Sequence, residues 1–159
     1  MNKIFLTEPR IECKFQTNNI GFNLFKKNLI HLGFVKSFEN RNVYSLYFDD
    51  INFSSVSDNL SGVTPRAKYR LRWYCRSDNK KYGLRYEKKI KKGILGTKKI
   101  INLDQLSEEI NKEFLIKNIS KLTYIKDFSL LPLNYLPQLF CSYRRSYYEN
   151  RNGIRLTID

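Results

Sequence analysis

Between Arg66 and Trp73 the chain alternates cation and apolar residue without a break: Arg66, Lys68, Arg70 and Arg72 against Ala67, Tyr69, Leu71 and Trp73. A helix would scatter these side chains around its circumference, whereas a β-strand sends successive ones to opposite faces. The segment therefore predicts a strand with one densely cationic face and one apolar face. Tyr82–Ile90 repeats the pattern, setting Arg85, Glu87 and Lys89 against Leu84, Tyr86 and Lys88. Arg10, Glu12 and Lys14 share a face near the N-terminus, as do Tyr143, Arg145 and Tyr147, and then Arg155, Thr157 and Asp159, near the other end. A fold built from such strands must find a place for two chemically opposite faces.

Charge is concentrated where the alternation is strongest. The chain has 29 basic and 15 acidic residues, and residues 65–100 alone hold 14 and 2 of them, a net of +12 out of +14. Cations held close together repel one another, and an anionic partner relieves the cost. The partner class is polyanionic: nucleic acid, an acidic membrane face, or a phosphate chain.

Other classes are excluded by what the chain lacks. Cys13, Cys75 and Cys141 are far apart, no CxxC occurs, and His31 is the single histidine. Zinc sites, a disulfide framework and Ser-His or Cys-His nucleophilic catalysis therefore lack their residues. The cysteines read as buried or half-exposed thiols in a reducing compartment. No GxxxxGK[ST] or GxGxxG loop is present to cradle a nucleotide. No window approaches 18 uncharged apolar residues, and MNKIFLTEPRIECKF has no apolar signal core, so the expected location is cytoplasmic. With 159 residues, 42% of them hydrophobic, one domain with a real core is expected.

The remaining elements follow from periodicity. Ile4–Gln16 reads as a strand, and Thr17–Asn19 can cap a helix over Gly21–Leu32 that stops at Gly33. Val43–Asp49 is a strand, followed by a short helical or irregular segment to Gly62. Ala67–Cys75 and Tyr82–Ile90 form a hairpin across the polar SDNKK turn, and Lys91–Gly96 is a basic loop or lid. The stretch 104–122 reads as helical, Pro132 and Pro137 bracket a connection, and Leu139–Glu149 with Gly153–Asp159 is expected to make a last hairpin around Asn150–Gly153.

A charged strand face is ordinarily a solvated outer face. Here the faces are dominated by Arg, the planar donor suited to phosphate, and they include Glu12 and Glu87 among the cations, as they would if the faces met around a divalent metal. An antiparallel barrel with a charged interior satisfies both observations, with its outer aromatic face packed on helices. The expected class is α+β: an antiparallel β-tunnel with helices 21–32 and 104–122 outside.

Several segments together resemble the polyphosphate-polymerase (VTC) domain of the triphosphate tunnel metalloenzyme superfamily: RIECKF (10–15), SLYFDD (45–50), RAKYRLRWY (66–74), LRYEKKI (84–90), TKK (97–99), YRRSYY (143–148) and RLTID (155–159). They occur in the family's order across essentially all of residues 1–159. The resemblance implies a tunnel that binds ATP, triphosphate or polyphosphate through basic lumen residues, with Mn²⁺ or Mg²⁺ held by glutamates. Residue by residue, it implies Arg70, Arg72 and Lys89 as catalytic cations. Lys14, Arg145 and Arg155, with Lys98 or Lys99 as a loop lysine, become phosphate-binding, Glu12 and Glu87 become metal ligands, and strand parity adds Lys68 to the phosphate-binding set. It also implies a further glutamate-bearing strand and a basic helical element after the RxTxD strand, whereas this sequence ends at Asp159. The expectation is therefore an incomplete tunnel that self-associates, or takes a partner chain, at its C-terminal edge.

The functions that fit are transfer of the ATP γ-phosphate to polyphosphate, hydrolysis of triphosphate, and non-catalytic binding of polyphosphate. Nucleic-acid binding is the contrasting class, because basic strands bearing Tyr and Trp can form a stacking platform. It is disfavoured, since Tyr69 and Trp73 fall on the opposite face from the arginines.

Overall fold

The computed structural model describes residues 4–75, 80–103 and 131–159. Eight strands and two helices are present among them: β1 (Ile4–Leu6), β2 (Arg10–Ile11), α1 (Asn19–Asn28), β3 (Val35–Asp49), α2 (Ser54–Leu60), β4 (Arg66–Cys75), β5 (Lys81–Lys92), β6 (Leu95–Asn102), β7 (Leu136–Glu149) and β8 (Arg155–Ile158). Strands hydrogen-bond in the order β1-β6-β5-β4-β3-β7-β8, and β2 also pairs with β6. The pairs β1–β6, β2–β6, β4–β5, β5–β6 and β7–β8 are antiparallel. The architecture is thus mostly antiparallel sheet with two helices. No helix among the described residues is long and apolar enough to cross a membrane.

The chain divides into two units, Met1–Glu12 with Val43–Ser142, and Cys13–Asn42 with Tyr143–Asp159. In the first, β4 and β5 form the expected antiparallel pair, although residues 76–79 of the connecting turn lie outside the described residues. The pairing of β4 with β5 shifts register between Arg72 and Tyr74. Gly83 absorbs the irregularity at φ 67°, where a Cβ would stand 2.9 Å from the Tyr74 ring. Only glycine fits that conformation and that gap.

β5 and β6 are joined at Gly93–Ile94, with Lys92 directly opposite Leu95. Gly93, at φ 56°, takes the first position of this two-residue turn, which a primed turn requires. The expected loop at Lys91–Gly96 is therefore only a tight turn, and the residues after it form a strand. The adjacent cations Lys98 and Lys99 hide the alternation of β6 in the sequence. Three other expected boundaries change, one strand shortening and two lengthening. The strand expected over Ile4–Gln16 is two short ones ending at Ile11, while β3 starts eight residues earlier than Val43 and β7 takes in Pro137.

One face of this sheet carries the core. Leu46, Phe48, Tyr69, Leu71, Trp73, Leu84, Tyr86, Ile101, Leu103 and Leu131 are buried together, with Tyr44, Ala67 and Tyr135 packed against them. Trp73 stacks on Tyr44 at 5.8 Å, and Tyr135 meets the edge of Tyr69 at 5.1 Å. Helix α2 is fastened at its start by Asp49, whose carboxylate accepts from the backbone N–H of Ser55 (3.0 Å) and Val56 (3.1 Å). Ser55 in turn meets the Tyr135 hydroxyl at 3.1 Å, which ties the helix to the aromatic layer. The second expected helix, 104–122, lies outside the described residues.

In the second unit, α1 begins at Asn18, whose side chain accepts from Gly21 N–H at 2.9 Å, and Lys26 and Lys27 occupy its last turn. An Asn cap satisfies one orphan donor, and cations near the C-terminus complement the helix dipole. The helix ends at Asn28, four residues before the expected Leu32, and a turn through Gly33 follows, with Phe34 N–H reaching back to Leu29 O. β7 and β8 form the expected hairpin, its turn held by the Asn150 side chain accepting from Asn152 and Ile154 N–H.

Candidate phosphate-binding site

The face of β4–β6 opposite the core is a grid of cations. Register places Lys68 opposite Lys89 and Lys89 opposite Lys98. The next row is Arg70, Glu87 and Ile100, and the one after it Arg72, Arg85 and Asn102. Neighbouring strands lie about 4.8 Å apart, so like charges in one row repel directly. Glu87 is the sole carboxylate in these rows.

Glu87 is fully buried. Its Oε2 accepts from Arg70 Nε at 2.8 Å, and its Oε1 from Arg85 Nε at 2.7 Å. Burial alone would raise its pKa, but Arg70, followed by Lys98, Arg85 and Arg72, outweighs this and holds the carboxyl well below the usual range. Arg70 Nη1 also donates to the Tyr47 hydroxyl at 3.0 Å. Burial opposes the Arg70 charge, yet Glu87 and Tyr47 together raise its pKa. Arg72, itself buried, donates from Nε to Ser45 Oγ at 3.2 Å. Arg85 reaches the Tyr74 hydroxyl with Nη2 and lies 5.2 Å from the centre of that ring.

Lys98 differs from its neighbours. Burial, with Arg70, Arg10 and Arg72 nearby, pushes its pKa down to about 8 against the partial support of Glu87. At neutral pH it remains charged in a cationic setting. Lys89 pairs with Glu12 across the start of the sheet.

Of the expected site residues, the structure brings Lys68, Arg70, Arg72, Glu87, Lys89 and Lys98 onto one face, with Glu12 beside Lys89. Lys99 falls on the other face. It lies in a strand, with Lys88 opposite, and alternation turns it to the core side with Tyr69, whose ring carries Lys88 Nζ at 5.1 Å. Lys14, Arg145 and Arg155 belong to the second unit. There Lys14 is exposed and lies outside any strand. Arg145 is clamped by both oxygens of Asp159, and Arg155 Nε stands 3.6 Å from Glu149. The residues sequence reasoning left out of the site are Arg85, Tyr47 and Ser45. Their signal was parity: Arg85 shares a face with Glu87, and Ser45 and Tyr47 alternate with the apolar Tyr44, Leu46 and Phe48.

The glutamates do not fit the divalent-cation site implied by the resemblance. Both Glu87 oxygens are committed to guanidinium groups, and Glu12 holds Lys89. Among the described residues, no group of three or more His, Cys, Asp or Glu side chains converges. Mg²⁺ or Mn²⁺ needs several unencumbered oxygens.

Comparison with protein families decides what this cationic sheet belongs to. The VTC domain family matches residues 9–159. The chain is a member of the VTC domain family. Comparison with curated proteins gives no match. VTC membership points to a polyphosphate-related function, and its match runs through every strand from Arg10 onward.

Proposed function

We propose that this VTC domain binds a linear phosphate chain, as the triphosphate of ATP or as polyphosphate, on the cationic face of β4–β6. The carrying observation is the cross-strand register, in which Lys68, Lys89 and Lys98 stand in one row and Arg72 faces Arg85 in another. Such rows cost stability in the protein alone, and a polyanion lying across them converts repulsion into charge-assisted hydrogen bonds. A chain of phosphates supplies anionic oxygens at a repeat that several rows can share. Single-stranded nucleic acid is the weaker reading, because stacking needs exposed rings and Tyr69 and Trp73 are buried in the core.

The chemistry we assign to the site is phosphoryl transfer in a tunnel-like sheet. A terminal oxygen of the acceptor chain attacks the γ-phosphorus of ATP, the bridging bond to the β-phosphate breaks, and ADP leaves. No protein nucleophile is needed. Arg70, Arg72, Lys89 and Lys98 bind and align the two chains and neutralise charge on the transferring group. Water in place of the acceptor would give a triphosphatase, and absence of turnover would leave a binding module.

Titration calorimetry with tripolyphosphate tests binding, and incubation with ATP and Mn²⁺ followed by gel separation tests turnover. Long chains on the gel support transfer, whereas orthophosphate release alone supports hydrolysis. Failure of the protein to bind tripolyphosphate, or tighter binding of single-stranded RNA at equal salt, would overturn the proposal.

A further inference from the structure

Glu87 poses a problem for any phosphate site. A carboxylate repels phosphate oxygens, and this one sits in the middle of the cationic rows with no solvent to screen it. Its contacts show what it contributes instead. It receives Nε from Arg70 on β4 and Nε from Arg85 within β5, one oxygen to each. Tyr47 and Tyr74 then hold the far ends of the same guanidinium groups. Each arginine is therefore held by two partners, Glu87 and a tyrosine hydroxyl.

Of five N–H donors on a guanidinium, such gripping consumes only some. Arg85 spends Nε on Glu87 and one Nη2 donor on Tyr74, which leaves Nη1 uncommitted among the described residues. The side chains of Arg70 and Arg85 keep 12% and 27% exposure above a carboxylate that has none. The buried anion is the anchor, and the partly exposed cations are what a ligand meets.

We propose that Glu87 is a positioning residue, whose carboxylate fixes the orientation of the Arg70 and Arg85 guanidiniums for a phosphate chain, and that it is not a metal ligand. The inference rests on the reading of this face as a phosphate-chain site. Long, flexible arginines lose rotamer freedom when they bind, and a preset orientation removes that cost from the binding step.

Three roles for Glu87 give different results in calorimetry with tripolyphosphate, run in EDTA and again in Mn²⁺. If Glu87 only contributed negative charge, Glu87→Gln would tighten binding. If it held a metal, Glu87→Gln would weaken binding in Mn²⁺ and leave binding in EDTA unchanged. As a positioning residue, its loss weakens binding roughly ten- to a hundredfold under both conditions, comparable with losing one or two charge-assisted contacts. Glu87→Asp keeps the charge but draws the carboxylate back by one carbon, so it weakens binding as well. Affinities are taken per folded protein, with the folded fraction from thermal melts, so that a merely stabilising role would leave them unmoved.

Arg85→Lys provides a second route should both Glu87 variants fail to fold. It retains the cation and surrenders the fork that joins Glu87 to Tyr74, and it should weaken tripolyphosphate binding about tenfold. Unchanged or tighter binding in the folded variants, or a loss confined to Mn²⁺, overturns the inference. A wild-type protein that ignores tripolyphosphate instead sinks the underlying phosphate-site reading.

Discussion

Arg70 and Glu87 face each other across β4 and β5, and the arginine donates Nε at 2.8 Å to a carboxylate that has no solvent exposure. The pairing links stability to pH with a definite sign. The folded Glu87 is held below its ordinary 4.5, so the unfolded chain takes up the proton first as pH falls. Its contribution is full above pH 4.5 and is lost as acidification proceeds through the depressed folded value.

Glu87→Gln should therefore lower unfolding free energy at pH 7 by about 3–5 kcal/mol, the usual cost of breaking a buried pair from one side. The deficit relative to wild type should shrink below pH 4.5, where the wild type loses its own advantage. Urea melts at several pH values measure this. A deficit that stays constant into acid would show that the carboxylate charge contributes no stability.

Replacing Arg70 tests the same pair from the other side. On strand parity alone, Arg70→Ala relieves like-charge repulsion and leaves folding intact. With Glu87 buried beneath it, the substitution instead strands a carboxylate and should destabilise the domain by about 3–5 kcal/mol. Adding Glu87→Gln should then cost less than it does in the wild type, a coupling energy of about 1–3 kcal/mol in a double-mutant cycle. Additive effects would show that the two side chains do not act as a unit.

The alternation that signals β4 and β5 was legible because one residue in two is charged, and it placed Arg70, Arg72, Glu87 and Lys89 on one face correctly. Parity says which side a residue takes, but not whether that side is wet. Glu87 reads as a metal ligand or a surface ion pair until its total burial and its two arginine partners are seen. β6 was harder to read, because Lys98 and Lys99 are neighbours and only pairing with β5 reveals which one faces the cations. The N-terminal strand failed for another reason: the ExK pattern of Glu12 and Lys14 continues the alternation beyond Ile11, where pairing with β6 ends.

Gly83 connects backbone geometry to the site. Its φ of 67° and the Tyr74 ring 2.9 Å from a built Cβ leave no room for a side chain. Gly83→Ala should cost about 1–3 kcal/mol through strain. It should also push Tyr74 off Arg85 and weaken tripolyphosphate binding. Thermal melts and calorimetry on the folded variant check both effects. A variant as stable as wild type would mean that the bulge between Arg72 and Tyr74 relaxes freely.

Lys98 should show opposite effects on stability and on binding. Its folded pKa of about 8 lies below the ordinary 10.5, so the folded state releases this proton more readily than the unfolded chain does. Stability then rises as pH climbs from about 8 to 10.5, and below pH 8 the protein carries the full cost of the charged lysine. Lys98→Met removes that cost and should stabilise the domain at pH 7 by about 1–2 kcal/mol, after allowance for its partial exposure. A phosphate chain favours the charged form, so binding above pH 8 must draw in a proton. Wild-type affinity should fall above pH 8, relative to Lys98→Arg, by up to about tenfold per pH unit, whereas the arginine variant stays charged throughout. Using that variant as reference cancels the ligand's own ionisation. Lys98→Met should melt at a higher temperature than wild type yet bind tripolyphosphate more weakly at pH 7. If the methionine variant melts lower, or if wild type and Lys98→Arg share one pH profile, then Lys98 is not the strained cation of the site.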